Sequence, residues 1–449
     1  MRRIVIGALA CAACSGQGQR QPESAAVETK AAGSAVPGAV AKPAAEQAPE
    51  PEPAAEPPKD EPRVPPGDGS FGDDVAFLRE HTEVVVLGDA ANGAAVAITP
   101  EYQGRVMTSA ARGAHGTSFG FINREVVAAR RKQPHITVFG GEDRFWLGPE
   151  GGQFGLYFPP GSPYDFEHWQ VPAAIDWGSW AITTQSATEV RFIKDIAVTN
   201  HLGTELTLRV ERHVRLLSEA EIGAHLGSAV APGASAVGYQ SENSITNTGT
   251  APWSKKTGLP SIWILGMYRP SPTTTVVIPF RPGPEKTLGK VVNDAYFGKI
   301  SGSRLRTEKS VLLFSGDGKE RGKIGVPAPR ARPVAGSYDA ANGVLTLVEY
   351  TLPERGAYVN SMWEEQAEPY SGDVVNSYND GPPGPGQKPL GPFYELETSS
   401  PGAELAPGKT LTHVHRTLHL QGSVESIDPV ARRKLGVGIE EITGRVVSK

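Results

Sequence analysis

Cysteine is nearly absent from this chain. Its 449 residues hold only Cys11 and Cys14. Everything after position 14 is therefore without a disulfide, a thiolate metal cluster or a cysteine nucleophile. Basic charge is not in excess either. The formal net charge is -5 and no basic stripe is visible, which removes nucleic acid as an expected partner and argues against an anionic membrane surface as the working ligand. No Gly-x-Ser-x-Gly elbow, phosphate-binding loop or dinucleotide fingerprint occurs in a fitting context. Common hydrolase, nucleotide and redox readings fall away with them, and no cofactor is expected.

The first residues point to a compartment. Met1-Arg2-Arg3 is a short basic segment, and Ile4 to Ala13 is apolar but too short to cross a bilayer. The run ends at Cys14-Ser15-Gly16. Small residues before a cysteine in this position resemble a bacterial lipobox, in which the thiol takes a lipid. Cys14 is the expected lipidation site, Cys11 is the second candidate, and an ordinary secretory cut near Ala13 is the remaining alternative. The implied location is the cell envelope, periplasmic or outer-membrane associated, with membrane contact through the lipid only.

From Gly16 to about Gly69 the chain has almost no large apolar side chains and is rich in Ala, Pro and Glu. Such a segment cannot bury enough surface to offset chain entropy, so a disordered linker is expected. The expected boundaries are a signal peptide over 1–14, a linker over 15–69 and a single β domain over 70–449. Helical periodicity is scarce there, confined to Asp73–Arg79, Ser218–Gly223 and Asp428–Lys434. Alternating or β-branched runs recur instead, among them Glu83–Leu87, Ala94–Ile98, Glu189–Ile193, Thr204–Arg212, Ser261–Tyr268, Thr273–Phe280, Val344–Tyr350, Phe393–Thr398 and Thr410–Leu420. With 52 Gly and 39 Pro punctuating many short strands, the class is all-β. Asp317-Gly318-Lys319 and Asn342-Gly343 read as hairpin turns.

The densest chemistry lies in Phe139 to Gly155, FGGEDRFWLGPEGGQFG. Glycines let a backbone approach a ligand closely, while Trp and Arg supply a stacking face and a hydrogen-bonding fork. Glu142, Arg144, Trp146, Glu150 and Gln153 are candidate binding residues, against the plainer reading of Trp146 as core and Arg144 as a local ion pair. Arg124 is a further candidate, or else a structural salt bridge. A second polar cluster, Asn360 to Asp380, reads as a turn-rich region offering Trp363, Glu364, Tyr378, Asn379 and Asp380. Its Asn and Asp can equally cap turns through their own backbone. His413 and His415 share one face of a strand, and with Glu395 and Glu397 on the expected partner strand they are weak metal candidates. No metal is otherwise expected.

Several of these segments resemble a known family. Val96 to Met107 resembles the opening hairpin of galactose-mutarotase-like supersandwich domains. Asn123-Arg124, Gly140-Gly141 and Trp146 resemble spaced elements of aldose epimerases. Phe393 to Pro401, followed by Leu405-Ala-Pro-Gly408, resembles the strand carrying the epimerase base and its following turn. Gly140–Gln153, Trp263–Met267, Asn360–Glu364 and Asn376–Gly381 together resemble an uncharacterised family of bacterial lipoproteins with that fold. The resemblance implies a galactose-mutarotase-like β-supersandwich and a carbohydrate or glycan ligand. It makes Glu397 or Glu395 the catalytic base if there is catalysis. Phe139 stands where an epimerase has its acidic histidine before the Gly-Gly pair, which favours a binding floor over mutarotase chemistry.

The expectation is a lipid-anchored envelope protein that binds a carbohydrate. The alternatives are a carbohydrate-active enzyme (epimerase, lyase or hydrolase) using the C-terminal carboxylates, and a structural envelope protein with no small ligand.

Overall fold

A computed structural model describes residues 66–444. The leader, Cys11, Cys14 and residues 15–65 of the expected linker lie outside the described residues. Three antiparallel sheets carry the fold, of three, ten and five strands. The ten-stranded sheet runs, edge to edge, through Leu305–Glu308, Val311–Ser315, Thr274–Pro279, Val334–Asp339, Val344–Tyr350, Thr410–Gln421, Ser235–Asn247, Glu205–Leu216, Glu189–Thr199 and Ala181–Gln185. The five-stranded sheet runs through Gly322–Pro327, Asp373–Asn379, Tyr394–Ser399, Ser261–Tyr268 and Arg144–Gly148. The all-β class expected from the sequence is what the chain adopts.

Burial explains why each strand reads as it does. Along Glu205–Leu216 buried and exposed residues alternate, so one face meets the core and the other meets water. Val344–Tyr350 is apolar almost throughout because both of its faces are covered. One face packs toward the five-stranded sheet, where Val348 joins Val276, Ile324, Val375 and Leu396. On the other, Leu345 and Leu347 pack with Ile222 and Leu226 of the helix Glu219–Leu226 and with Ile427, Val430 and Leu435 of the helix Val424–Leu435. The first of these helices starts at Ser218 in a capping box with Glu221. Among the described residues no helix is long and apolar enough to cross a membrane.

Two expectations are corrected. Asp317–Lys319 is not a hairpin turn: the strands it joins, Val311–Ser315 and Gly322–Pro327, belong to different sheets. Asn342-Gly343 does close a hairpin. The region from 360 to 380 is not all turns, since Asp373–Asn379 is an interior strand buried along nearly its whole length. Its Asn and Ser side chains hide the apolar period because they are spent inside the structure: Ser377 Oγ donates to the Glu395 carbonyl and Asn376 Nδ2 to the Tyr296 hydroxyl. Likewise Arg144–Gly148, inside the glycine-dense segment, is a fully buried edge strand.

Candidate functional site

Strand alternation builds a floor. On one face of the five-stranded sheet, Arg144 and Trp146 stand beside Trp263, Leu265 and Met267, then Glu395, Tyr378 and Lys323. The register sets Arg144 opposite Leu265, Trp146 opposite Trp263, Met267 opposite Glu395 and Tyr378 opposite Lys323. These residues line a cleft with a cavity volume of about 100 Å³. Its walls come from connecting segments that contribute Glu150, Phe166, Trp169, Phe297, Arg321, Trp363 and Leu390.

The two segments singled out in the sequence meet here. The Glu150 amide donates to Ser361 Oγ, and the Gln153 side chain clasps the Gln366 backbone, donating through Nε2 to its carbonyl and accepting through Oε1 from its amide. Gly152, at φ +80°, is pressed against Gln366, and an added Cβ would lie 2.5 Å from its amide carbon. That docking sets Trp363 almost parallel to Trp169 at 5.8 Å, and Trp169 almost parallel to Phe166 at 6.1 Å. Phe166, Phe297 and Leu390 are exposed at the mouth.

The floor holds charges out of water. Arg144 lies over the Trp146 ring at 4.0 Å and donates to Glu395 Oε1 at 2.9 Å. Lys323 Nζ and Trp263 Nε1 both donate to Glu397 Oε2, each at 3.0 Å. Trp169 Nε1 donates to Glu150 Oε1 at 2.9 Å. Burial pushes the Glu395 carboxyl up to about 8, against the pull of Arg144 and with a push from Glu397. Burial likewise raises Glu150, opposed by Lys323. Burial works against the Lys323 ammonium, yet the carboxylates of Glu397, Glu150 and Glu395 hold its pKa above the ordinary value. Three polar atoms here are buried with no hydrogen-bond partner: Arg144 Nε, Trp146 Nε1 and Glu397 Oε1.

Of the residues nominated from sequence, Arg144, Trp146, Glu150, Trp363, Tyr378 and Glu395 line the cleft. Glu397 is fully buried and reaches it through Lys323 and Trp263. Gln153 and Asp380 support the walls. Asp380 accepts from the Tyr378 hydroxyl and the Gly391 amide. Asn379 ties Gly318 to the Glu320 carbonyl. Glu364 is exposed outside the lining. Arg124 is elsewhere: it opens the helix Arg124–Ala129, lies over Phe77 at 4.0 Å and pairs with Asp73 and Asp74.

Glu142 is also elsewhere. Its carboxylate accepts from the Ser109 amide at 2.6 Å, the Ser109 hydroxyl and His419 Nε2 at 3.0 Å. Phe139, in the position of the missing acid, stacks on Tyr102 at 3.8 Å in the core. His413 and His415 lie between the sheets, both hydrogen-bonded to Thr398 Oγ1 at 2.9 Å. Their expected strand pairing with Glu395 and Glu397 does not occur, because the two strands belong to different sheets. Thr398 alternates with the glutamates, so these project from the opposite face. Burial lowers His413 to about 3 and His415 to about 4. Among the described residues no group of three or more His, Cys, Asp or Glu side chains could hold a metal ion.

Lys323, Arg321, Trp169 and Phe166 were not nominated. A lysine on a strand that reads Gly-Lys-Ile-Gly-Val-Pro normally points to water, so nothing local marks Lys323. The run of aromatics Tyr157, Phe158, Tyr164, Phe166 and Trp169 was the available signal for the wall.

A family model described as a family of unknown function, DUF6786, matches residues 69–446. The chain therefore belongs to that family. Among curated proteins no sequence matches it. Solved structures similar to it include a protein from Synechocystis sp. PCC 6803, at 12% identity and TM-score 0.44, covering 76% of this chain and 96% of that one. A galactose mutarotase related enzyme from Lactobacillus acidophilus gives 9% identity and TM-score 0.40 over 76% and 97% of the two chains. A galactose mutarotase-like protein from Lactobacillus casei gives 9% identity and TM-score 0.38 over 75% and 100%.

Proposed function

We propose that this member of the family binds a saccharide in the cleft of the five-stranded sheet, as a lipid-anchored protein of the bacterial cell envelope. One observation carries the binding reading: stacked aromatic rings wall a solvent-reachable cleft whose floor is a set of buried, partly unpartnered charged groups. A pyranose has C–H faces that suit an indole and hydroxyls that both donate and accept, so it matches walls and floor together. The anchor rests on Cys14 and the leader before it.

Four tryptophans line the cleft, namely Trp146, Trp169, Trp263 and Trp363. Titration with a panel of oligosaccharides should change the intrinsic fluorescence and saturate, and Trp363→Ala should weaken the response. A chain that responds to no saccharide would instead be a structural envelope protein.

A second reading, an enzyme at the same site, is supported by Glu395. A carboxyl held near pH 8 by burial keeps its proton at neutral pH and can deliver it, and the Glu397 carboxylate lies on the same strand face. Epimerisation would appear in polarimetry and lyase or hydrolase cleavage in product chromatography. Either activity should vanish in Glu395→Gln while binding stays within about a few fold.

A further inference from the structure

The polar lining narrows the ligand further. Arg144, Arg321 and Lys323 share the cleft with Glu150 and Glu395. Lys323 is committed to Glu397, and Glu150 receives the Trp169 indole. Arg144 uses Nη2 on Glu395, but its Nε is buried without an acceptor, as is the Trp146 Nε1 beneath it. The Arg144 side chain is 3% exposed, so water does not replace the missing acceptor cheaply. Arg321 adds a half-buried guanidinium at the mouth, stacked on Phe297 at 3.8 Å. The unused capacity on the arginine side is donor capacity carrying positive charge.

Resting on the saccharide reading above, we infer that the ligand is an anionic sugar, a ring bearing a carboxylate or a sulfate. Arg144 takes the anionic group, Trp169 and Trp363 take a ring face, and Arg321 supplies a second positive charge at the mouth. A guanidinium is the side chain best matched to such groups, because its planar fork meets two oxygens at once. Protonation works in the same direction. Burial raises both Glu150 and Glu395, the latter to about 8, while Glu397 foremost holds Lys323 above its ordinary value against burial. At neutral pH Lys323 stays charged and Glu395 is mostly uncharged. A protonated Glu395 also offers an O–H to an anionic acceptor.

Calorimetry of the purified protein with three trisaccharides of equal length tests this: a galacturonate trimer, an O-sulfated galactose trimer and neutral galactotriose. At least one charged trimer should bind roughly tenfold tighter than the neutral one, the effect of one charge-assisted hydrogen bond. The gap should shrink in about 0.5 M salt. Whether one or both charged trimers show it tells carboxylate from sulfate. Arg321→Gln, at the rim and safe for folding, should narrow the gap between charged and neutral trimers several fold, and Arg144→Lys should narrow it more strongly. Neutral galactotriose binding as tightly as the charged trimers would overturn this inference and leave the saccharide reading standing. Binding of none of the three, nor of any other saccharide, would overturn both.

Discussion

Glu142, Asp143 and Arg144 are consecutive in sequence and serve two different buried charge systems. Glu142 and Asp143 turn toward the ten-stranded sheet. Asp143 Oδ1 accepts from Arg212 Nη2 at 2.6 Å and Oδ2 from Ser241 Oγ at 2.7 Å, while Arg212 also donates to Asn243 Oδ1 and the Gly104 carbonyl. Glu142 has Ser109 and His419, and His419 has Thr346 on its other ring nitrogen. Each carboxylate oxygen in this network has a partner. Arg144 turns the other way, into the cleft, where Arg144 Nε, Trp146 Nε1 and Glu397 Oε1 have none. Both regions keep charge out of water. The closed one ties the sheets together, and the open one keeps hydrogen-bonding capacity that the chain does not use. A buried polar group left unpaired costs free energy, and on the proposed reading a bound saccharide would offset that cost in the cleft.

The comparison can be broken most forcefully by removing one partner in each region. Arg212→Ala leaves the fully buried Asp143 without its counter-charge, and should destabilise the fold by about 3–5 kcal/mol in chemical denaturation. Glu395→Gln imitates a carboxyl already largely protonated at pH 7 and should change stability by less than about 1 kcal/mol. Equal losses in the two variants would erase the distinction between closed and open networks.

Titration separates the regions next. His413 and His415, between the sheets, have folded pKa values lowered to about 3 and about 4 by burial. The unfolded chain binds their protons first, so the stability they carry is complete above pH 6.5 and falls below it. Each contributes about 1.4 kcal/mol per pH unit until its folded pKa is reached. Glu395 acts with the opposite sign. Its folded pKa is raised to about 8, so its contribution falls as pH rises from the unfolded value toward 8. Melting temperature should therefore drop below pH 6.5 in every variant that keeps the histidines. Between pH 6.5 and 8 it should fall less steeply in Glu395→Gln than in the parent. A parent profile identical to that of the variant above pH 6.5 would remove Glu395 from the account.

The sequence made the strands legible wherever one face meets water or both faces are apolar, as in Glu205–Leu216 and Ser261–Tyr268. It hid Asp373–Asn379, whose buried Asn376 and Ser377 are satisfied by partners far away in the chain. The site was legible as two dense segments, and those segments do meet across Gln153 and Gln366. Which residues face the cleft was not legible. The strand begins only at Arg144, and Glu142 lies before it in a bend, so counting by twos from Glu142 fails. Lys323 was invisible because its partner Glu397 is 74 positions away and on another strand.

The smallest expected effects give the finest test, using neighbours again. Trp363 is part of the aromatic wall and Glu364 is exposed beside it. If the cleft is the open region, Trp363→Ala should weaken saccharide binding by about 1 kcal/mol or more, the worth of a lost stacking face. The fold should tolerate the change, because Trp363 is only partly buried. Glu364→Gln should leave both binding and melting within the scatter of an exposed surface change, under about 0.5 kcal/mol. Calorimetry and thermal melts on the pair decide it. A binding loss that follows Glu364 rather than Trp363 would shift the ligand from the cleft to its outer edge, and the unpartnered donors of Arg144 and Trp146 would then be an internal defect of the fold.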